Sequence, residues 1–292
     1  MSATAAPRRI ELLQVRASNV PQFVLALETQ SDRIIAPHIR SNAIWEAAET
    51  ALCQRLLRPG MRVIDVGAHV GYYSVLFSHL VGDTGSVLAF EPEPDNFRML
   101  LANLLLNDCG NVQAQPLALT ERRGSEWLHL SNDNNPGDHR LAQTPGRARV
   151  AVQSTDLDTV LDGAPVDFIK IDTQGSEPRI FAGMSATLSA NRDRLGCMLE
   201  FSPGLQNTAG VSVAQFAAQL TALDARVYTI ALQRGGLALG RLHDLHDGLA
   251  NLATALARSS NGQVDASWDV FAVFGDVAEQ AWLTRFREGR LG

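Results

Sequence analysis

One short segment, residues 63–74, constrains the fold of this chain more than any other. It starts as an apolar run, passes Asp65 and two glycines, Gly67 and Gly71, and becomes apolar again. This pattern is typical of a buried parallel strand that turns into a helix. The order of strand, glycine turn and helix predicts a Rossmann-like α/β fold, in which the turn presents backbone amides to a nucleotide-containing ligand.

The spacing of the glycines in this turn distinguishes between a dinucleotide and other nucleotide-containing ligands. It lacks the three-glycine pattern that cradles the pyrophosphate of a dinucleotide. Asp65 stands just before Gly67, where its carboxylate would repel a pyrophosphate and attract a cation. S-Adenosylmethionine carries an ammonium and a sulfonium, so it suits this site better than NAD does.

Further cofactor contacts are expected where the neighbouring strands end. Glu91 follows the predicted strand Ser86–Phe90, at the place where Rossmann-like sites hold ribose hydroxyls with an acid. Leu117 lies near the end of a third predicted strand, residues 112–119, and is expected to line the adenine pocket. The predicted cofactor-binding residues are Asp65, Gly67, Ala68, His69, Gly71, Tyr72, Glu91, Pro92, Asn96, Leu117 and Asp172.

Strand and helix patterns alternate from residue 62 onward, which predicts one mostly parallel sheet with helices on both faces. We expect this unit to span residues 58–292 as a single domain, preceded by strands and a cap helix in residues 1–57. Ser41 is expected to cap a helix that runs through Trp45 to Leu57, and Asp95 or Asn96 is expected to cap a later helix that runs through Leu106.

Composition limits the partners and the location. A net charge of −6 disfavours a nucleic-acid partner, because phosphate binding needs concentrated positive charge. The three scattered cysteines have no metal-site spacing and indicate buried thiols in a reducing compartment. Neither a signal peptide nor an apolar run long enough to span a bilayer is present, which favours a cytoplasmic protein without a membrane partner. A homo-oligomer is compatible with the sequence.

Three blocks of the chain carry a family resemblance: residues 63–74 together with 88–107, residues 154–161, and residues 168–177. On these blocks the chain resembles the FkbM family of S-adenosylmethionine-dependent methyltransferases over roughly residues 40–235. The resemblance implies a class I fold of seven strands, the last of them antiparallel. It also implies methyl transfer, most often to a hydroxyl of a small natural product or sugar. The family's usual glutamate is replaced by Gln174, so no role is carried over to that position.

Two residues are candidates for the catalytic chemistry. A hydroxyl has a high pKa, so its methylation benefits from a general base or a metal ion. Asp172 follows the strand that contains Lys170 and could accept the proton, bind a metal or orient the cofactor amine. His139 lies in a polar loop, residues 131–147, that could close over the substrate, and its ordinary pKa lies near neutrality. A divalent metal between Asp172 and Glu200 is left unassigned, because no diagnostic ligand spacing supports it.

Lys170 is the only lysine among the 25 basic residues, which suggests that this position needs something that arginine cannot supply. Side chains alternate along a strand, so Lys170 and Asp172 are expected on one face, with the lysine paired to a nearby acid. Three functions stay open on these residues: an O-methyltransferase, an NAD-dependent oxidoreductase, and a non-catalytic cofactor-binding partner subunit.

Overall fold

The computed structural model describes residues 9–30, 32–132, 135–234 and 236–289. In chain order the strands are β1 (Ile10–Val15), β2 (Phe23–Glu28), β3 (Arg62–Val66), β4 (Ser86–Phe90), β5 (Val112–Gln115), β6 (Leu117–Leu119), β7 (Gly124–His129), β8 (Arg149–Thr155), β9 (Phe168–Ile171), β10 (Gly196–Phe201), β11 (Ala225–Gln233), β12 (Gly236–Arg241) and β13 (Trp268–Phe274). The helices are α1 (Ile35–Asn42), α2 (Ala47–Leu56), α3 (Tyr72–Val81), α4 (Pro94–Leu106), α5 (Leu157–Leu161), α6 (Glu177–Ala182), α7 (Ser185–Ala190), α8 (Pro203–Thr208), α9 (Val213–Ala222), α10 (Leu245–Ser259) and α11 (Asp276–Glu288).

The central sheet has the order β12, β11, β13, β10, β9, β3, β4, β5. Strands β10, β9, β3, β4 and β5 run parallel, whereas β13 is antiparallel to both of its neighbours. This confirms the mostly parallel sheet with an antiparallel last strand. The expected count of seven strands is too low by one, because β12 pairs antiparallel with the end of β11 and extends the edge. Gly236, with φ +106°, begins that added strand.

Both faces of the sheet are buried, as predicted. Phe168 belongs to the apolar cluster on one face, whereas Ile169 and Ile171 belong to the cluster on the other. Lys170 therefore lies on the same face as Phe168, and only 3% of its side chain is exposed. A charged group in so apolar a strand needs partners within the protein.

Strands β1 and β2 lie in the N-terminal region where strands were expected, and they pair antiparallel with each other. The predicted role of Ser41 is wrong, because this residue lies inside α1, and Glu46 is the residue that precedes α2. The carboxylate of Asp32 accepts hydrogen bonds from the backbone N–H groups of Ile35 and Ala36 and so stabilises the start of α1. The sequence pattern missed α1.

Three other local predictions are corrected. The strand predicted over residues 112–119 breaks into β5 and β6 around Pro116, which has no N–H for a sheet ladder, and β6 joins β7 and β8 in a separate sheet. Glu93, rather than Asp95 or Asn96, caps α4, since its carboxylate accepts from the Asn96 N–H at 2.7 Å. The sequence also predicts one helix from about Pro178 to Ser189, but this region forms two short helices, α6 and α7, which are separated by Gly183 and Met184.

Among the described residues, no helix is long and apolar enough to cross a membrane.

Candidate active site

A cavity of about 310 Å³ lies beyond the carboxyl ends of β3, β4, β9 and β10. In an open α/β sheet this edge is where ligands bind. The N-terminal segment and the loop before β8 complete its wall. All of the predicted site residues except Gly71 line this cavity. They are Asp65, Gly67, Ala68, His69, Tyr72, Glu91, Pro92, Asn96, Leu117, His139 and Asp172.

Gly71 is the exception and has a structural role. It caps α3 with φ +92°, a conformation that favours glycine. A Cβ at this position would meet the Leu100 side chain at 2.7 Å. The absence of a side chain at Gly71 therefore lets the start of α3 pack closely against α4.

The first three backbone N–H groups of the glycine turn are already hydrogen-bonded within the protein. The N–H groups of Gly67 and Ala68 both donate to the Phe90 carbonyl, at 3.0 and 2.9 Å. The N–H of His69 donates to Glu91 Oε2 at 2.8 Å. The expectation that this turn presents free amides is thus wrong for these three groups, because they join the end of β3 to the end of β4. What glycine provides here is close approach between backbone segments.

Asp65 combines deep burial with one oxygen that has no hydrogen-bond donor. Its Oδ2 accepts from Ser74 Oγ at 2.6 Å, while Oδ1 has no partner among the described residues. Burial raises the pKa of this carboxyl group, although the nearby Lys170 ammonium opposes the shift. Buried polar atoms are nearly always satisfied, so an unpaired carboxylate oxygen on the cavity wall fits a cationic ligand group such as the ammonium of S-adenosylmethionine.

Glu91 is held rigidly in the cavity wall. Its two oxygens accept from the backbone N–H groups of Glu93 and His69, both at 2.8 Å. Burial nevertheless raises the pKa of Glu91 to about 8. A fixed carboxylate at the end of β4 fits the two ribose hydroxyls of the cofactor, each of which needs an acceptor.

This pKa predicts a pH-dependent cofactor affinity. Ribose hydroxyls donate best to the ionised carboxylate, so binding releases a proton, and affinity rises as the pH passes the value of about 8 for free Glu91. The probe is 5′-methylthioadenosine, which has the ribose but no titrating amine. Calorimetry should show about tenfold tighter binding at pH 9 than at pH 7. Glu91→Gln should remove this dependence, and a variant that keeps it would exclude Glu91 as its source.

Lys170 and Asp172 form the predicted ion pair, with Nζ 2.9 Å from Oδ2. The ammonium also lies 4.6 Å from the centre of the Tyr73 ring, a cation–π distance. Burial opposes the charge on Lys170, but the carboxylates of Asp172 and Asp65 outweigh it and raise the pKa. Burial likewise opposes the charge on Asp172, and Lys170 outweighs it and lowers that pKa. The pair is therefore ionised at neutral pH.

Gln174 occupies the position between the two carboxylates considered for a metal. Its Nε2 donates to Asp172 Oδ1 at 3.3 Å and to the two oxygens of Glu200 at 3.1 and 3.2 Å. An amide NH₂ is a donor and so cannot share a cation with these carboxylates. Within the described ranges, no group of three or more His, Cys, Asp or Glu residues is arranged to hold a metal ion.

The loop before β8 covers the cavity from one side. Residues 133 and 134 of the predicted lid lie outside the described residues. Asp138 pairs with both Arg140 and Arg147, and all three side chains are largely buried. Asn96 Nδ2 donates to the Pro136 carbonyl at 3.0 Å, which ties this loop to α4. The loop is thus braced against the site by its own ion pairs and by one bond to α4.

His139 lies on this loop with one ring nitrogen already used. Its Nδ1 accepts from the Ser131 N–H at 3.0 Å, so the neutral ring carries its proton on Nε2. Burial lowers the pKa of His139 to about 4. In this state the ring can donate a hydrogen bond to a substrate oxygen, but it is a weak proton acceptor.

Several cavity residues were not singled out from the sequence, namely Trp45, Glu46, Asp265 and Ser267. They come from the segments before α2 and before β13, which carry no recognisable motif. Tyr73 also lines the cavity, and its hydroxyl donates to Glu46 Oε2 at 2.7 Å. Only the position of Tyr73, directly after the glycine turn, could have pointed to it.

The sheet order, the acid-bearing glycine turn and the ribose-compatible acid define a class I S-adenosylmethionine-dependent methyltransferase. A sequence profile described as the methyltransferase FkbM domain matches residues 65–226, more than half of the chain. The chain belongs to this FkbM methyltransferase family, and S-adenosylmethionine is its cofactor. This resolves the choice between the methyltransferase and the NAD-dependent oxidoreductase in favour of the former.

Other similarities are partial. Protein-L-isoaspartate O-methyltransferase 1 of Arabidopsis thaliana is 28% identical over 99 residues, 34% of this chain and 37% of that protein. Ribosomal RNA large subunit methyltransferase E of Alkalilimnicola ehrlichii is 42% identical over 55 residues, 19% of this chain and 26% of that protein. The crystal structure of methyltransferase FkbM from Methylobacillus flagellatus KT has a TM-score of 0.36 and 15% identity, over 56% of this chain and 40% of that one. The matches thus span well under half of these curated relatives.

Proposed function

We propose that this methyltransferase acts on a hydroxyl of a small metabolite, natural product or sugar. The observation that carries the proposal is the scarcity of positive charge on the cavity wall. Lys170 is the only lysine or arginine among the described residues that line it, and Asp172 already pairs with it. Seven acidic side chains also line the wall, namely Glu46, Asp65, Glu91, Asp138, Asp172, Glu200 and Asp265. Burial raises the pKa of Glu91 and Glu200, and Asp138 is paired with two arginines, so these three add little negative charge. Such a wall favours a neutral or cationic acceptor with hydroxyl groups over an anionic one.

The same scarcity of positive charge argues against a nucleic-acid acceptor. Nucleic-acid binding depends on lysine and arginine contacts to phosphates, which this wall does not provide. The similarity to an enzyme named for ribosomal RNA covers 26% of that protein, so it supports no shared acceptor.

The roles of the wall residues follow from their contacts. Asp65 would bind the cofactor ammonium with its unpaired oxygen, and Glu91 would bind the ribose. S-Adenosylmethionine supplies an electrophilic methyl group. Asp172, fixed by Lys170 and Gln174, would orient the acceptor hydroxyl or the cofactor amine, and His139 would donate from Nε2 to an acceptor oxygen. Holding the two reactants in line contributes up to about 7–11 kcal/mol to catalysis.

We also propose that the N-terminal segment, residues 1–57, serves as the cover of the methyltransferase unit, residues 58–292. Ile34, Ile35 and Trp45 line the cavity from this segment. The Trp45 N–H donates to Tyr72 Oη at 3.2 Å, which joins the cover to the first turn of α3.

The proposed function is tested with S-adenosylmethionine labelled in its methyl group and a fractionated metabolite extract of the source organism. We expect label in a small product, with an O-methyl group identified by mass spectrometry. An N-methyl product, or label only in RNA or protein added in parallel reactions, would contradict the proposal. Cofactor binding without any labelled product would favour the non-catalytic partner subunit.

A further inference from the structure

Glu46 is an acid of the cavity wall with an unusual backbone. It directly precedes α2 and has φ 42° and ψ 71°, in the left-handed region that a residue with a side chain rarely adopts. Backbone strain of this kind costs about 1–3 kcal/mol and is often found at functional sites. The strained residue here is one whose carboxylate reaches a ligand cavity, because Glu46 lines the wall.

The position of this carboxylate is fixed by Tyr73, the second residue of α3. Tyr73 Oη donates to Glu46 Oε2 at 2.7 Å, and the face of the same ring lies 4.6 Å from Lys170 Nζ. Lys170 in turn bonds to Asp172 at 2.9 Å. The Tyr73 side chain thus connects Glu46 to the Lys170–Asp172 pair, which lies at the carboxyl end of β9.

The two catalytic candidates found from the sequence are poorly suited to accept a proton. Asp172 is engaged by Lys170 and Gln174, and the Lys170 ammonium outweighs burial and lowers its pKa. His139 carries its proton on the nitrogen that is left over, and burial lowers its pKa to about 4.

The surroundings of Glu46 favour a proton acceptor that works near neutral pH. Burial raises the pKa of Glu46 to about 7, against the opposing effect of the Lys170 ammonium. The other groups that face it are the carboxylates of Asp172, Glu49 and Asp269, which repel its charge, and the Tyr73 hydroxyl, which stabilises it. A general base is most efficient when its pKa lies near the working pH.

Resting on the proposed O-methylation, we propose that Glu46 is the catalytic base, which accepts the proton of the acceptor hydroxyl. In this step an oxygen electron pair forms the new bond to the methyl carbon. The carbon–sulfur bond breaks, and its electron pair stays on sulfur, which becomes the neutral thioether of S-adenosylhomocysteine. The hydroxyl proton moves to the Glu46 carboxylate, so that charge and atoms balance.

The first test compares Glu46→Gln with Glu49→Gln, which removes a carboxylate from the first turn of α2 but not from the cavity wall. Reactions use labelled S-adenosylmethionine and the metabolite fraction that wild type labels. Glu46→Gln should lower kcat by about 100-fold or more, while KM for the cofactor and calorimetric binding of S-adenosylhomocysteine stay unchanged. Glu49→Gln removes only a minor repulsion of the Glu46 charge, so it should keep the wild-type rate at pH values above 7, where Glu46 is ionised.

The pH profile separates proton transfer from a merely structural role. The wild-type rate should rise with pH through about 7, the pKa of Glu46. Tyr73→Phe removes a hydrogen bond to the charged carboxylate, so this limb should move to higher pH by about one pH unit. Glu46→Asp should recover part of the lost rate.

A further readout needs no acceptor. A carboxyl group whose pKa rises from 4.5 in the unfolded chain to about 7 in the folded one stabilises the fold below pH 4.5. This contribution is lost as the pH rises through 7. Thermal unfolding of wild type relative to Glu46→Gln should therefore lose stability between pH 5 and pH 8. A difference that does not change with pH would overturn the proposal.

The outcomes distinguish the two proposals. If wild type labels no hydroxyl in any fraction, the proposed function fails and proton transfer to Glu46 fails with it. If wild type labels a hydroxyl and Glu46→Gln does so at the same rate, only the assignment of the base is overturned.

Discussion

Replacing Gly67 by alanine should destabilise the fold by about 4 kcal/mol or more and abolish binding of the cofactor. Gly67 has φ +79°, and a Cβ built on it lies 1.9 Å from the backbone oxygen of Asp172. A contact with backbone cannot be relieved by turning a side chain. The loop that carries Asp172 would have to move away from β3, and the acids of the cavity would separate.

Gly82→Ala is the matched control, because Gly82 also has a positive φ, +60°, but nothing lies within 4 Å of the added Cβ. This variant bears only the cost of its backbone conformation, φ +60° and ψ −173°, which is about 1–3 kcal/mol. Urea unfolding and calorimetric binding of S-adenosylhomocysteine measure both effects. If Gly67→Ala behaves like Gly82→Ala, close approach of the two backbone segments does not hold the site together.

The buried strands of the central sheet were the part of this fold that the sequence predicted most directly. β3, β4 and β13 have the bounds that their apolar runs indicate, because a strand covered on both faces is apolar at nearly every position. The edges were harder to predict. β12 is an edge strand that pairs with β11 alone, so fewer contacts constrain its sequence than that of a central strand.

The residues of the candidate site also differ in how far the sequence predicted them. Asp65, Glu91 and Asp172 could be placed because each lies near or directly after the carboxyl end of a buried strand, and the topology brings those ends together. Glu46 could not, since its position depends on a strained residue between two helices and on a hydrogen bond from Tyr73 across 27 positions of sequence. The hydrogen bonds from the turn amides to Phe90 and Glu91 also could not be predicted from the sequence, because they depend on how the ends of β3 and β4 meet.

The pairing of Lys170 with an acid was foreseen from strand periodicity, and it carries the second large effect. Lys170→Met should cost about 3–5 kcal/mol, because it removes the ammonium that faces the buried carboxylate of Asp65 and the partly buried carboxylate of Asp172. Adding Asp172→Asn to this variant should restore part of the stability, and a double-mutant cycle measures the coupling. By contrast, Arg40→Met should change the free energy of unfolding little, because its ion pair with Glu11 is exposed to solvent.

Lys170→Arg tests why the only lysine of the chain stands at this position. The ammonium fits between the Tyr73 ring and the Asp172 carboxylate, where only 3% of the side chain is exposed. A guanidinium keeps the charge but is larger and planar, so it should displace one of these partners and cost about 1–3 kcal/mol. Because Tyr73 also holds Glu46, the displacement should lower the rate of methyl transfer as well as the free energy of unfolding. Wild-type stability and rate in Lys170→Arg would show that charge alone is required, and that the absence of other lysines reflects composition.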